Sequence, residues 1–361
     1  MNDIIKPTLL VDTKVMLTNL DRMVSKSKAN HLAFRPHFKT HQSRKIARLY
    51  RERGIDRITV SSVDMARYFA EDGWNDITIA FPTNVRERDA ICQLHKSIPL
   101  NLIADSEQTI NIIDSWGLEG IGLFIEVDAG YHRTGADIKD VERLKELVKQ
   151  VSSSKSINWK GFLIHNGHTY KSRGKEQIIS THQASYELFG TLNQYKEQYP
   201  EIIISVGDTP AFSTIKNFSG FDEMRPGNFI FYDLAQWQIG SCEFSDIALC
   251  MACPVVGIYP DREELVIYGG GVHFSKDRIH LDGKEVFGFP VGLNEHGWDV
   301  PDPTRYVSSL SQEHGIIKLP RHQLSQYNVG DLLGVVPVHS CLTAEAMKSF
   351  RSLEGELFDH L

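Results

Sequence analysis

The sequence predicts an α/β protein in which a (β/α)8 TIM barrel is followed by a second, mostly β domain. Between residue 31 and about residue 231, short β-branched runs alternate with longer segments of helical period, which is typical of βα units around a parallel sheet. After Trp237, closely spaced glycine, proline and β-branched residues replace the helical periods. The length of 361 residues also favours two domains, at about 150 residues per domain.

Eight runs rich in β-branched and aromatic residues are expected to form the barrel strands. They cover residues 32–38, 57–62, 76–81, 100–105, 123–128, 161–167, 202–207 and 224–231. Barrels of this kind keep their catalytic groups at the carboxyl ends of the strands. We therefore look for chemistry in the residues that follow each run.

The stretches between these runs have the spacing of crossover helices with one buried face. Residues 137–151 and 175–195 are the clearest examples. In the first, apolar residues recur near helical period at Ile138, Val141, Leu144, Val148 and Val151. About 200 residues make up the barrel, so its loops are expected to be short.

The change from alternating strand and helix patterns to a β-rich sequence sets the predicted domain limits. The barrel is expected over residues 12–240 and the β domain over residues 241–345. Residues 1–11, which include the β-rich run PTLLVD, are expected to join the β domain, and residues 346–361 are expected to form a tail.

Charge and composition exclude several classes of protein. With 39 basic and 46 acidic side chains the net charge is -7, which disfavours a nucleic acid or anionic lipid partner. No stretch approaches 18 apolar residues and no signal peptide is visible, so we expect no membrane partner and a cytoplasmic protein. Five cysteines are an odd number spread through a long chain, and they predict free thiols or a metal ligand rather than disulfides.

The segment RPHFKTH at residues 35–41 is the most informative in the chain. On an extended backbone His37, Lys39 and His41 would share one face, where they would bind an anion or push Lys39 toward its neutral form. A neutral lysine amine is what Schiff-base chemistry requires. The alternative is a solvated lysine, and the basic residues of 34–53 favour a solvated helix face over a nucleic acid patch.

Polar motifs follow three later strands. His165, His168 and Tyr170 lie in HNGHTY after the sixth strand, where they could form a metal site or an ordinary polar loop. The turns at 205–210 and 224–228 follow the seventh and eighth strands, where barrel enzymes bind phosphate.

A separate motif, PVHSCLT, places two metal-binding side chains near the end of the chain. His339 and Cys341 are two residues apart, so both would point the same way on an extended backbone and could bind one cation. Two protein ligands completed by water and substrate make an open, catalytic type of site. The alternative is a buried cysteine beside an unrelated histidine. Cys250 and Cys253 have C-x-x-C spacing without a second pair, and we interpret them as packing residues.

Taken together and in this order, these motifs resemble those of the D-serine dehydratase and D-threonine aldolase family of fold-type III pyridoxal-phosphate enzymes. They are RPHFKTH, HNGHTY, VGDTPAFS, RPGNFIFYD, EHG and PVHSCLT. The resemblance implies an alanine racemase-like barrel with a C-terminal β domain, a pyridoxal 5'-phosphate cofactor, and a homodimer.

Residue by residue, the resemblance implies roles for the barrel motifs. Lys39 matches the lysine that forms the Schiff base with the cofactor, and Lys39 or a histidine would then act as the general base. His165 matches the histidine that packs on the cofactor ring, Tyr170 a nearby tyrosine, and Arg133 the arginine facing the pyridine nitrogen. The residues that match the phosphate-binding loops are Gly207, Asp208, Thr209, Gly227 and Asn228. We expect Asp208 to bind through its backbone amide, because its carboxylate would repel a phosphate.

The resemblance further implies a metal-dependent lyase acting on a D-β-hydroxy amino acid. His339 and Cys341 would hold a divalent metal, for which the thiolate favours zinc over manganese or magnesium. A His-x-Cys pair resembles the dehydratase branch, which eliminates the β-hydroxyl to give a keto acid and ammonia. Cleavage of the Cα–Cβ bond by an aldolase is the alternative.

Other interpretations stay open at this point. They are an amino-acid racemase, a non-catalytic pyridoxal-phosphate protein, and a cofactor-free metallohydrolase built on His165, His168 and His339. The substrate also stays open among D-serine, D-threonine and β-hydroxyaspartate. The glycine-rich stretch at 268–273 differs from the less glycine-rich sequence usual in this family, so the resemblance does not fix the substrate.

Overall fold

The computed structural model describes residues 3–361 and divides into two compact units. One unit is Arg22–Gly227, and the other combines the residues up to Asp21 with Asn228–Leu361. The barrel unit thus covers residues 22–227, whereas the sequence analysis expects the barrel over residues 12–240. The start of the first helix stays with the β unit because Asn19 Nδ2 donates to the Asp246 carbonyl at 2.7 Å.

The helices alternate with the strands through the first two thirds of the chain. They are α1 Thr13–Ala29, α2 Arg44–Arg51, α3 Val63–Glu71, α4 Arg88–His95, α5 Glu107–Asp114, α6 Val141–Ser153, α7 Lys175–Thr191, α8 Pro210–Thr214, α9 Leu234–Ile239, α10 Gly271–Phe274, α11 Arg321–Leu324 and α12 Ser340–Met347. Several of them begin at a side-chain cap. Ser43, Ser62 and Ser106 accept from the third amide of α2, α3 and α5, which satisfies a donor that has no partner inside the helix.

The strands of both units range from two-residue pairs to long strands, of which β11 with 11 residues is the longest among the described residues. They are β1 Thr8–Val11, β2 Ala33–Phe34, β3 Ile58–Val60, β4 Ile77–Pro82, β5 Leu100–Ala104, β6 Ile121–Asp128, β7 Ala136–Asp137, β8 Ile157–His165, β9 Ile203–Gly207, β10 Glu223–Met224, β11 Leu249–Tyr259, β12 Glu264–Tyr268, β13 Ile279–Leu281, β14 Lys284–Val286, β15 Gly288–Val291, β16 Leu293–Asn294, β17 Gly297–Trp298, β18 Tyr306–Leu310, β19 His314–Lys318, β20 Leu332–Pro337, β21 Phe350–Ser352 and β22 Leu357–Phe358.

The unit Arg22–Gly227 is the predicted barrel. Its parallel strands follow the order β2-β10-β9-β8-β6-β5-β4-β3, and β7 pairs with β6 at the side. A parallel bridge between His37 and Thr59 joins the two ends of this order. Each of the eight predicted runs contributes one strand, so the predicted barrel is confirmed.

The first and last barrel strands are much shorter than predicted. The run 32–38 gives only β2, and the run 224–231 contributes only Met224 to β10. Both strands end directly before an Arg-Pro pair, Arg35-Pro36 and Arg225-Pro226. Proline cannot donate to a strand ladder, and 3-10 turns at Phe38–Thr40 and Asn228–Ile230 follow. The catalytic-end residues therefore lie on turns.

The crossover helices bury one face, as their spacing predicts. In α6 the buried side chains are Leu144, Leu147, Val148 and Val151. Val141, which was expected on that face, is exposed because it is the first residue of the helix, directly after the Asp140 cap.

The second unit is mostly β, as predicted. Its main sheet follows the order β18-β19-β12-β11-β1-β21-β22, with β20 between β11 and β15. The N-terminal strand β1 is antiparallel to β11 and parallel to β21. Residues 346–361, expected to form a tail, contain β21 and β22 and so extend this sheet.

Cys250 and Cys253 lie in β11 and are fully buried. Burial raises the pKa of both thiols well above its usual value, as expected of packing residues. Across residues 3–361, no helix combines the length and apolar character needed to cross a membrane.

Candidate active site

Lys39 lies in the 3-10 turn Phe38–Thr40, just beyond the first barrel strand, and its side chain is exposed. Its backbone amide donates to His37 Nδ1 at 3.4 Å. The structure therefore places Lys39 at the carboxyl end of a barrel strand, as the sequence predicts.

The expectation that His37, Lys39 and His41 share one face was wrong. Phe38–Thr40 form a 3-10 turn rather than an extended strand, so side chains two residues apart do not share a face. His41 is fully buried. Its ring lies 4.5 Å from Phe38 and 5.7 Å from Tyr50, measured between ring centroids. His41 is therefore a packing residue of the barrel's aromatic core.

His165 ends β8 and is held in one orientation. Its Nδ1 is 3.0 Å from the Gly207 carbonyl, which can only accept, so Nδ1 carries the proton. Burial, assisted by the nearby charges of Arg133 and Lys39, lowers the pKa of His165 to about 3. His165 is therefore a neutral imidazole at neutral pH.

Aromatic side chains surround His165. The Tyr170 ring lies 6.0 Å from His165, and Tyr131 lies 5.6 Å from His165 and 5.7 Å from His168, between centroids. The structure thus brings together the three residues that the sequence grouped in HNGHTY. It adds Tyr131, which the sequence analysis did not single out.

The two predicted phosphate turns approach each other closely. The Gly227 amide lies 3.4 Å from Thr209 Oγ1, and the Thr209 amide donates to Tyr170 Oη at 3.1 Å. A Cβ atom at Gly227 would lie 2.9 Å from the His37 carbonyl, so only glycine fits there. These contacts make a narrow cradle of backbone at the ends of the seventh and eighth strands.

The Asp208 side chain is engaged inside the protein and does not serve to bind an anion. It is buried, and its Oδ1 accepts from the Ala211 amide at 2.6 Å at the start of α8. Burial raises the pKa of Asp208 to about 7, against the opposing effect of its hydrogen bonds. The Asp208 carboxylate is therefore engaged inside the protein, and binding of a phosphate by the Asp208 backbone stays a prediction.

Arg133 and Glu126 line one small cavity together with Tyr131 and His165. Glu126 Oε1 accepts from Thr134 Oγ1 at 2.7 Å, and burial raises the pKa of its carboxyl group. Arg133 is exposed, in contrast to a second arginine that lies deeper in the barrel.

That second arginine, Arg225, is a residue that the sequence analysis missed. Arg225 is 5% exposed, and it donates to Ser205 Oγ at 2.8 Å and to the Ile164 carbonyl at 2.7 Å. Burial lowers its pKa to about 10, although Glu223 and Glu126 work against this. The available signal was the repeated Arg-Pro pair after the first and eighth strands.

A buried carboxylate links the two arginines of these pairs. Glu223 accepts from Arg35 Nε at 2.8 Å through one oxygen and from Ser205 Oγ at 2.6 Å through the other. Arg35 also pairs with Asp76 at 2.6 Å. Ser205 therefore bridges Glu223 to Arg225 through its hydroxyl group.

The carboxyl end of the barrel consequently concentrates positive charge. Burial and the surrounding charges lower the pKa of His37 well below its usual value. The positive charge comes from Lys39, Arg133 and Arg225, which act on the two neutral histidines, His37 and His165. A cluster of this kind fits an anionic ligand, and it fits pyridoxal phosphate in particular because Lys39 adds an exposed amine and the Thr209 and Gly227 turns add a backbone cradle.

The second unit carries the predicted metal ligands. His339 precedes α12 and Cys341 lies in its first turn, with a hydrogen bond between the two side chains. His339 Nδ1 lies 2.6 Å from Asp277 Oδ2. Burial works to lower the pKa of His339, but Cys341, Asp233 and Asp277 outweigh it and raise that pKa to about 10.

A buried polar cluster supports this pair. Asp233 is 1% exposed and accepts from Asn228 Nδ2 at 2.7 Å and from the Ser340 amide at 2.9 Å. Asn228 Nδ2 also lies 3.5 Å from Cys341 Sγ. The Asn228 side chain is thus engaged with the His339–Cys341 loop, a contact that the sequence analysis did not predict.

The donor set fits a single open metal site. An imidazole nitrogen beside a thiol suits zinc and related borderline cations, and two protein ligands leave positions for water and substrate. Among residues 3–361, no group of three or more histidine, cysteine or acidic side chains is arranged to hold a metal.

Comparison with known proteins agrees with this arrangement. Residues 11–234, more than half of the chain, match the family model "Alanine racemase, N-terminal domain". Residues 248–351 match the model "Putative serine dehydratase domain". The chain belongs to the alanine racemase-like family that includes D-serine dehydratases. The resemblance and the fold inferred from the sequence motifs are confirmed.

Within the family, D-serine dehydratase from Dictyostelium discoideum is 27% identical, over 99% of this chain and 95% of that protein. D-threo-3-hydroxyaspartate dehydratase from Delftia sp. is 26% identical, over 97% of this chain and 94% of the relative. Its solved structure superposes with a TM-score of 0.91, at 24% identity, and covers 100% of this chain and 98% of that chain. A cysteine-to-alanine variant of that enzyme has been solved in a metal-free form.

A third relative belongs to the other reaction branch. D-threonine aldolase from Arthrobacter sp. is 22% identical, over 92% of this chain and 85% of that protein. Both branches that the sequence motifs implied are therefore represented among the relatives.

Proposed function

We propose that the protein is a pyridoxal-phosphate- and metal-dependent lyase that converts a D-β-hydroxy amino acid into a keto acid and ammonia. Membership of the family and the dehydratases among its relatives support this proposal. The observation that carries it is the side-by-side placement of His339 and Cys341, a metal-binding pair of the kind typical of the dehydratase branch.

The barrel residues would hold the cofactor and move the substrate's proton. Pyridoxal phosphate supplies an electron sink for the carbon that carries the amino group. Lys39 would hold it covalently, and the Lys39 amine, once free, would take the proton from the substrate's Cα. The Thr209 and Gly227 backbone, with that of Gly207, Asp208 and Asn228, would receive the phosphate.

Other barrel side chains would contact the cofactor, some as neutral groups and some as positive charges. His165, fixed by the Gly207 carbonyl and neutral, would pack on the cofactor ring without adding charge. Tyr170 lies beside it and is tied to the Thr209 amide. Arg133 and Arg225 would both offer positive charge, and the more buried Arg225 is the better placed to keep a fixed orientation.

The β unit would act on the leaving group. His339 and Cys341 would hold a divalent metal, which supplies Lewis acidity toward an oxygen when it is bound. The substrate loses its Cα proton and its β-hydroxyl as water, and a later uptake of water releases ammonia and the keto acid. The thiolate ligand supports zinc as the metal.

Aldolase chemistry is the second candidate function. It is favoured by the D-threonine aldolase relative and by the same groups, since a metal can also acidify a β-hydroxyl before the Cα–Cβ bond breaks. That route would give glycine and an aldehyde.

The proposal includes a cellular setting. Five free cysteines support a reducing, cytoplasmic location. The family resemblance supports a homodimer, which light scattering of the purified protein would test.

The decisive experiment uses D-threonine, which both branches can process. Cofactor- and zinc-loaded protein is incubated with it, and the products are identified by mass spectrometry. 2-Oxobutanoate with ammonia is the expected result. Glycine with acetaldehyde would overturn the dehydratase assignment in favour of the aldolase.

A further inference from the structure

We propose that Asp277 is a positioning residue of the metal site, holding His339 in the tautomer that presents Nε2 to the metal. The inference rests on the metal-dependent function proposed above and adds a residue to it. It is drawn from the hydrogen bond between the two side chains.

The geometry fixes which nitrogen is available. Asp277 Oδ2 lies 2.6 Å from His339 Nδ1, and an ionised carboxylate can only accept a hydrogen bond. Nδ1 therefore carries the proton, and in the neutral ring the lone pair is on Nε2. A carboxylate on the far nitrogen of a metal-binding histidine fixes the ring and increases its basicity as a ligand.

A second acid near His339 is not available for this task. Asp233 is buried and its oxygens already accept from the Ser340 amide, Asn228 Nδ2 and the Gln236 amide. These bonds hold the backbone around Cys341 and the start of α9. Asp277 is thus the carboxylate that contacts the His339 ring itself.

The glycine-rich stretch 268–273 lies directly before the turn that carries Asp277. A Cβ atom at Gly270 would lie 2.3 Å from the Gln312 carbonyl, so a larger residue could not pack there. The stretch leads into α10, and Thr343 Oγ1 of α12 donates to the Phe274 carbonyl at its end, at 3.2 Å. Asp277 follows three residues later and is therefore anchored to the helix that carries Cys341.

The chain between α10 and Asp277 is also conformationally constrained. Ser275 has φ of 72°, a region that non-glycine residues rarely adopt. Its hydroxyl accepts from the Asp277 amide at 3.2 Å. A strained turn that ends at the His339 contact indicates that the position of Asp277 is specified by its surroundings.

Cobalt binding by the metal-free, full-length protein tests the proposal. Co²⁺ bound by a thiolate gives a charge-transfer absorption, and competition with a chelator gives the affinity. We expect Asp277→Ala to weaken binding by about 10- to 100-fold. Asp277→Asn, whose amide oxygen can still accept from Nδ1, should fall between this variant and the wild type.

Asp282→Asn is the matched control. Asp282 is an exposed acid between β13 and β14 with φ of 49°, a conformation that asparagine tolerates. Its affinity for cobalt should equal that of the wild type. Thermal unfolding of the metal-free variants should be unchanged, and the cobalt d–d bands of Asp277→Asn should shift if the ring is held less firmly.

The outcomes separate this inference from the proposed function. Wild-type affinity in Asp277→Ala would overturn the positioning role and leave the metal site intact. Failure of the wild type itself to bind cobalt would overturn the metal-dependent function and the inference with it. An equal loss of affinity in Asp282→Asn would contradict a specific role for Asp277.

Discussion

Two histidines, one in each unit, have imidazole pKa values that are shifted in opposite directions. In the barrel, burial and neighbouring cations lower the pKa of His165 to about 3. In the β unit, Cys341, Asp233 and Asp277 overcome burial and raise the pKa of His339 to about 10. The barrel end is electropositive and the His339 environment is electronegative. The first is thus suited to an anion such as a phosphate, and the second to a metal cation.

This contrast shows that burial alone does not decide the state of a histidine. Burial works to lower the pKa of both rings, and the difference lies in the charges that face them.

Replacing Lys39 with alanine should remove the cofactor from the barrel. The visible absorption of the loaded protein should disappear and activity should fall by about 10³-fold or more, because the proposed covalent attachment and the proposed base are lost together. Absorption spectra after dialysis measure this. Lys45→Ala, an exposed lysine of α2, is the control and should retain the cofactor. A normal spectrum in Lys39→Ala would refute the cofactor assignment.

Replacing Cys341 with alanine should abolish metal-dependent turnover while leaving the cofactor absorption intact. We expect a loss of about 100-fold in kcat, because one of the two proposed protein ligands to the metal is removed. Steady-state kinetics with added zinc measure it. Cys92→Ala, the other partly exposed cysteine, should behave as wild type. Loss of the cofactor from Cys341→Ala would mean that the two units do not divide the work as described.

Replacing Glu223 with glutamine should destabilise the barrel by about 3 kcal/mol, because it removes the buried carboxylate that Arg35 and Ser205 contact. Urea unfolding gives the free energy. Asp64→Asn, in an exposed pair with Arg67, should change stability by less than about 0.5 kcal/mol. Equal effects in the two variants would show that the barrel's cations do not depend on Glu223.

His182 in the barrel shows the effect of burial alone on a histidine pKa, since burial is the cause of its shift. Burial by itself lowers its pKa to about 4, from an ordinary value of 6.5. The unfolded state therefore takes up a proton first as the pH falls, and stability should decline between pH 6.5 and 4. His182→Gln should reduce this dependence by up to about 1.4 kcal/mol per pH unit, measured by urea unfolding at several pH values. His280→Gln, at an exposed histidine, should leave the slope unchanged, and an unchanged slope in His182→Gln would contradict the prediction.

Local sequence patterns predicted much of the fold. The eight strands follow from runs of β-branched residues, and the position of Lys39 follows from its place after the first of them. Prediction was poorest where a strand runs into a functional turn. Both Arg-Pro pairs end their strands early, and the turn at Phe38–Thr40 buries His41 rather than placing it beside Lys39.

The residues that sequence reasoning missed depend on contacts between distant parts of the chain. Arg225 contacts Ser205, 20 residues earlier, and Asp277 contacts His339, 62 residues later. Neither contact has a spacing that a helix or strand would create, so no local pattern could indicate it.

The sequence by itself determined the class of fold, the order of the motifs and the residue types available for chemistry, because these depend on local periodicity and on side-chain identity. Only the tertiary structure decided the charge that surrounds each group and the nitrogen that each histidine leaves available. Those properties depend on burial and on neighbours brought together by folding, and here they make one region electropositive and the other electronegative.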